Sequence, residues 1–367
     1  MYSKIQLCVR SDLVTRNIRE SDNFYFKPTS GVLQGEVISS YLFNLYINDL
    51  PRELNSPEVN PEELLINLLI YADDMCAMSL TRQGLQNALD KLSSYCSKWN
   101  LTVNTAKTKC IVFRKNGQIY ANDTWTYRGE RLETTREFKY LGFLLQASGS
   151  CSSGIHALKN SALKAVFHIK CICQKYRQIT PKTQIHLFNT LVKPILNYAS
   201  EVWGASMAKC LDIFHKRYLK CILGVRETTP DPYVYGELGE YPLFIDRHVN
   251  MIKYWLKVTS ADKESLIYKV YNQLTIENDK QNNIQVTGEN NKKRTLNWAG
   301  QIKDLLEKNG FGYVWQNQGV PPNNIKCFSV IFKTRLQDQY KQKWAEDMSD
   351  TSKNRLYKHI KTEFLHY

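Results

Sequence analysis

Two adjacent carboxylates, Asp73 and Asp74, stand in the string Tyr71-Ala72-Asp73-Asp74, between the apolar run 64–71 and Met75-Cys76-Ala77-Met78. Like charges side by side among apolar residues repel each other and lose solvation, a cost that a divalent cation removes. Ligands that offer only oxygen suit Mg²⁺ or Mn²⁺. The competing reading is an ordinary solvated turn, since Asp is favoured in turns.

The elements that would position this pair can be read from the flanking sequence. Two apolar, β-tolerant runs meeting at an Asp-Asp step predict a hairpin with the carboxylates at its tip. Upstream, Gly31-Val32-Leu33-Gln34-Gly35 precedes Ile38, Leu42, Leu45 and Tyr46 at helical spacing, with Ser39 as the expected N-cap. Glycines at a helix entrance let backbone approach a ligand, and Gln34 offers both a donor and an acceptor. A plain strand-to-helix connection would read the same way. Downstream, Leu85, Leu89, Leu92, Cys96 and Trp99 lie on one helical face and predict an amphipathic helix covering the sheet. The runs 101–104 and 110–113 then bracket Lys107 and Lys109, predicting a strand, a basic turn and a strand. A lysine there can stabilise phosphate charge or protonate a leaving pyrophosphate; otherwise both are solvated turn residues. At the front, Ile5, Leu7 and Val9 followed by Phe24, Tyr25 and Phe26 suggest a helix and then a short strand.

Composition narrows the class. The chain has 367 residues, 43% hydrophobic and 23% charged, with a formal net charge of +14, which describes a folded protein of two or three domains. Residues 1–150 hold 17 Lys+Arg against 16 Asp+Glu, whereas residues 151–367 hold 32 against 19. The back is therefore the part suited to a polyanion, and its interleaved aromatics favour nucleic acid over an acidic membrane. Ten cysteines without regular spacing form neither a disulfide framework nor a zinc pattern. They point to a reduced intracellular setting, nucleus or cytoplasm, with Cys171 and Cys173 as buried helix residues. No run approaches the length of a membrane span, so no membrane partner is expected.

The order of these motifs carries more than any one of them. The Gly-x-x-Gln-Gly loop and helix, the Tyr-x-Asp-Asp hairpin, the amphipathic helix, the Asn104-x-x-Lys107-Thr108 segment and Phe138-Lys139-Tyr140-Leu141-Gly142 together resemble the palm of a reverse transcriptase of the non-LTR (LINE-like) retrotransposon kind. The resemblance covers roughly residues 1–150, and residues 180–203 look like the segment that follows the palm. It implies an RNA-directed DNA polymerase that transfers nucleotides from dNTP to a primer 3′-hydroxyl on an RNA template. Asp73 and Asp74 are then similar to the metal ligands for Mg²⁺ or Mn²⁺ in two-metal catalysis. Gly31, Gln34, Gly35 and Tyr71 match positions along template and incoming nucleotide. Lys107 matches a lysine that assists phosphoryl transfer, and Phe138, Tyr140, Leu141 and Gly142 match the hairpin that steadies the DNA primer.

Two local departures stand out: Ser40 where the family usually has Pro, and Glu36 directly after the loop. In the family a first metal-binding Asp lies well upstream of the Gly-x-x-Gln-Gly loop. The resemblance thus implies a 5′-truncated fragment without that Asp or the fingers, inactive alone. The alternative is a non-catalytic nucleic-acid-binding remnant.

The implied fold is α+β. A partial palm, an antiparallel sheet with packed helices, is expected over 1–150. A helical thumb and connection over 151–262, a polar linker over 263–294 and a small helical domain over 295–367 are expected to follow. Ile155, Leu158, Ala162, Ala165, Ile169 and Ile172 repeat at helical spacing among lysines, and Thr180-Pro181 is a cap followed by proline in the first turn. A basic helical face of this kind holds duplex phosphates without reading sequence; an ordinary solvated charged face has the same pattern.

Overall fold

The structure, a computed structural model, describes residues 4–10, 36–54, 68–176, 179–206, 208–285, 296–350 and 363–364. It is mixed α and β, and it divides into two compact units, Met1–Ser153 and Gly154–Tyr367.

The first unit is built on a sheet with strand order β2-β3-β1-β4-β7, formed by β1 (Lys4–Arg10), β2 (Leu68–Tyr71), β3 (Asp74–Ser79), β4 (Lys109–Phe113) and β7 (Glu133–Thr135). The front segment is thus a strand and not the expected helix, and its Ile5, Leu7, Val9 alternation has the period of a strand. It pairs antiparallel with β3 on one side and with β4 on the other. Helix α3 (Arg82–Lys98) is capped by the Thr81 side chain, which accepts from the Gly84 amide. Its face Leu85, Leu89, Leu92 and Cys96 is buried as the periodicity predicts, in one core with Met75, Ala77, Cys110 and Val112. Each of these strand pairs is spaced by two, so one face of β3 and β4 meets that core.

The helix before the acidic hairpin departs from expectation. Helix α1 (Ser39–Tyr46) begins at Ser39 itself, its cap position is Ile38, and no side chain caps it. Ile38, Leu42, Leu45 and Tyr46 are exposed, while Phe43, Ile47, Leu50 and Leu54 are buried. The segment is apolar on two stripes, and packing selects the second. Pro51 does not end the helical stretch; it lies in the first turn of α2 (Leu50–Leu54), where a missing N–H is tolerated. No strand forms over 101–104. In its place Asn104 caps the turn that enters β4, accepting from the Lys107 amide and from both the amide and the hydroxyl of Thr108.

The second unit is helical. Helix α4 (Ser152–Lys175) buries Ile155, Leu158, Ala162, Val166 and Ile169, with Ile172 exposed. Cys171 is also exposed and Cys173 is only partly buried, so neither is the core cysteine expected. Thr180 caps α5 (Pro181–Leu187) through the Thr183 amide, with proline in the first turn. A π-helical stretch (Phe188–Val192) joins it to α6 (Lys193–Leu196), followed by α7 (Ser200–Trp203), α8 (Lys209–Leu223), α9 (Asp231–Leu238) and α10 (Leu243–Thr259).

The range 263–294, expected as a polar linker, contains α11 (Leu266–Gln285). Lys269, Gln273, Glu277 and Lys280 are good helix formers, and Tyr271 and Leu274 anchor the helix to the core. With α12 (Trp298–Lys308), α13 (Gly312–Gln316) and α14 (Ile325–Asp350), it shares one core running from Ile245 to Leu336. Helices α12, α13 and α14 therefore pack into a core that includes α10. Among the described residues no helix is long and apolar enough to cross a membrane.

His215 on α8 is fully buried without a hydrogen-bond partner for either ring nitrogen, stacked on Phe188 at 5.1 Å and edge-on to Tyr235 at 5.9 Å. Burial, with Lys193 and Arg247 nearby, pushes its pKa down to about 3, and burial takes His248 to about 4. Both are neutral when folded, so between roughly pH 6.5 and these values the unfolded chain binds protons that the folded chain does not. Stability should fall with pH across that window, by up to about 1.4 kcal/mol per unit for each group. Urea unfolding of the second unit at pH 7 and pH 5 measures the loss, and His215→Phe should remove about half of it.

Candidate functional site

Strands β2 and β3 pair from Leu68↔Ala77 to Tyr71↔Asp74, so the hairpin turns through just Ala72 and Asp73. Ala72 has φ +52°, and positive φ at the first turn position alone is the sign pattern of a type II′ turn, which matches the twist of paired strands. Alanine occupies that conformation at a cost of roughly 1 kcal/mol, held in place by the ladder on either side. Asp73 is therefore a tip residue and Asp74 the first residue of β3; both are partly buried, while Tyr71 is 66% exposed.

The sheet register fixes what lies beside the tip. β1 pairs Arg10 with Asp74 and Cys8 with both Cys76 and Lys109. The end of β1, the start of β3 and the turn entering β4 thus share one end of the sheet. Lys107 lies two residues before Lys109, two strands over from Asp74, a separation of roughly 10 Å at ordinary strand spacing. Lys107 is exposed, whereas Lys109 is engaged at 2.5 Å with Glu133 across the β4–β7 pair.

The strand between them brings no acid. Residues 4–10 read Lys-Ile-Gln-Leu-Cys-Val-Arg, and among the described residues no group of three or more His, Cys, Asp or Glu side chains gathers as a metal site. Asp73 and Asp74 fit a hard divalent cation in kind, as two oxygen donors. Gly31, Gln34 and Gly35 lie outside the described residues.

Phe138, Tyr140, Leu141 and Gly142 come together on a second hairpin, β8 (Glu137–Tyr140) with β9 (Phe143–Gln146), registered Phe138↔Leu145 and Tyr140↔Phe143. Its turn is Leu141-Gly142, with φ +44° and +86°. Two positive values make a type I′ turn, whose first position prefers Asn, Asp or Gly. A leucine that is strained and also 38% exposed is costly on both counts, a combination found where a side chain serves something other than stability. Sequence reading missed this strain, although the Leu-Gly dipeptide after an alternating run could have signalled it. It also missed β1 as the strand joining hairpin and basic turn, for which the period-two alternation was available.

Residues 3–145 match the family described as reverse transcriptase (RNA-dependent DNA polymerase). Among curated proteins, an RNA-directed DNA polymerase from mobile element jockey of Drosophila funebris is 26% identical over 181 residues, covering 48% of this chain and 19% of the relative. The Pol polyprotein from the type-2 retrotransposable element R2DM of Drosophila melanogaster is 34% identical over 135 residues, 34% of this chain and 12% of the relative. That from the type-1 element R2 of Bradysia coprophila is 25% identical over 225 residues, 56% of this chain and 24% of the relative. The chain spans about a fifth of the length of the curated relatives it matches.

Replacing Leu141 by Asn, which accepts positive φ, should raise stability by about 1 kcal/mol, read as a higher midpoint for the first unit in thermal or urea unfolding.

Proposed function

We propose, from the premise that residues 3–145 belong to the reverse transcriptase family, that the chain carries polymerase machinery of a non-LTR retrotransposon. The parent reaction is RNA-templated transfer of nucleotides from dNTP to a DNA primer 3′-hydroxyl. The observation that carries this reading is the two-residue turn that sets Asp73 and Asp74 at the end of the sheet shared with the turn before β4. Asp73 and Asp74 would hold Mg²⁺ or Mn²⁺, which supplies charge neutralisation at the reacting phosphate and activation of the primer hydroxyl. Lys107, at the same sheet end, would stabilise phosphate charge. Leu141 and Tyr140 would bear on the primer end from the second hairpin.

A second reading, binding without turnover, is favoured by β1. The strand beside Asp74 places Arg10 in register with it and has no carboxylate. Among the described residues no third carboxylate joins the pair, and a cation held by two adjacent carboxylates alone is held weakly, which opposes catalysis by this chain alone.

Helix α4 supports binding under either reading. It carries Lys159, Lys164, Lys170 and Lys175, two histidines and no acidic residue, with Lys164, Lys170 and Lys175 exposed. Exposed cations on a helix without carboxylates suit duplex phosphates, as in the thumb of a polymerase.

Primer extension on an RNA–DNA template-primer with Mg²⁺ or Mn²⁺, beside fluorescence anisotropy on the same duplex, separates the two readings. Extension that disappears in Asp73→Ala supports the polymerase, and duplex binding with extension no greater than in Asp73→Ala supports the remnant. If extension survives Asp73→Ala, the hairpin is not the site. Lys164→Glu with Lys170→Glu should weaken duplex binding at least tenfold and flatten the slope of log K against log salt by about 2.

A further inference from the structure

The loop between β4 and β5 (Thr126–Tyr127) is built more firmly than a connection requires. Asp123, 5% exposed, accepts from both terminal nitrogens of Arg114 at 2.5 and 2.7 Å and from the Tyr120 amide at 2.7 Å. Arg114 also donates to the Gln118 carbonyl at 2.9 Å, and the Thr134 hydroxyl donates to the Asp123 carbonyl at 2.8 Å. The Arg114 hydrogen bonds hold the Asp123 carboxyl below its usual range. This buried pair fixes a planar cation over the Tyr120 ring, 4.4 Å from its centroid.

Tyr120 nevertheless remains 49% exposed. Together with Asp123, Arg131, Leu132, Glu133 and Thr134 it lines a groove of about 550 Å³, a size that suits one nucleotide. Both carboxylates in its wall are engaged, Asp123 with Arg114 and Glu133 with Lys109 at 2.5 Å. Arg131, on β6 (Glu130–Arg131), is exposed and has no ion-pair partner among the described residues. An aromatic ring backed by a cation, with a second cation on the same wall, is complementary to a flat base carrying a phosphate.

We propose that this groove binds an unpaired nucleic-acid base, stacked on the uncovered face of Tyr120 with its phosphate at Arg131. The site takes no part in nucleotidyl transfer, and it stands or falls separately from the polymerase reading. The base could come from a single strand or from a free nucleotide.

The test uses the full chain and 2-aminopurine, whose fluorescence is quenched by stacking, once as its riboside monophosphate and once as a single base within an eight-residue oligothymidylate. Saturable quenching is expected, unchanged in Asp73→Ala. Quenching of both probes assigns a nucleotide site, and quenching of the oligonucleotide alone assigns a strand site. Tyr120→Ala should weaken binding about tenfold, while Tyr120→Phe, which keeps the ring, should bind as the wild type does. Arg131→Gln, a surface change that leaves the buried pair intact, should weaken binding and reduce its salt dependence. Absence of saturable quenching in the wild type would overturn the proposal. So would Arg131→Gln and Tyr120→Ala titrating like the wild type.

Discussion

Strand β1 is the constraint on which the first unit depends. It is hydrogen-bonded to β3 along one edge and to β4 along the other, so in the sheet it is the strand that joins the acidic hairpin to the basic turn. The ladder's registration brings the start of β3 and the start of β4 to the same end of the sheet. A slip of one residue would turn every side chain of β1 to the opposite face. Its alternating Ile5, Leu7 and Val9 oppose that slip, because it would carry all three together to the other face of the sheet. The same registration sets a basic residue, Arg10, across from Asp74. Position and chemistry are thus decided together by one seven-residue strand.

Strain is stored at the hairpin tips of the first unit. Ala72 and Leu141 both have positive φ, and glycine, asparagine or aspartate would reduce the cost at either position. The flanking ladders tolerate it because each turn has only two residues and the strand twist dictates its conformation. The β5–β6 turn has the same pattern, with Arg128 at φ +50° ahead of Gly129 at φ +81°, and bears a comparable cost at its first position.

The second unit manages buried polarity in a different way. Arg247, 2% exposed, donates to Asp212 at 3.1 Å and lies over the Trp203 ring at 5.9 Å, so its charge has both a counter-ion and an aromatic face. His215, close by, has no hydrogen-bond partner and survives by remaining neutral between aromatic rings. The contrast follows from charge: a guanidinium cannot shed its proton and must be paired, whereas an imidazole can. Asp246, held at 2.5 Å by Lys193 and at 3.2 Å by Lys333, ties α6, α10 and α14 together in the same unit.

By itself the sequence determined the elements whose hydrophobic period admits one solution. Helix α3 has a single apolar stripe and a Thr cap, and α5 has Thr180 and Pro181 at its start; both lie where local chemistry puts them. The acidic hairpin was legible too, since apolar runs and turn residues are local properties, and the paired carboxylates could be placed at a tip; the second hairpin was expected only from the resemblance. Tertiary structure decided the rest, wherever the local pattern was degenerate. Residues 38–50 offer two apolar stripes, and only the presence of α3 and the sheet determines that Phe43 and Ile47 turn inward while Leu42 and Tyr46 stay outside. Residues 263–285 are polar enough for a linker, yet two anchor points, Tyr271 and Leu274, suffice once α10 and α12 offer them a surface. The lysine turn and the acidic tip are more than thirty residues apart in the chain. Their placement at one sheet end depends on β1 pairing with both, a long-range relation that no local period encodes.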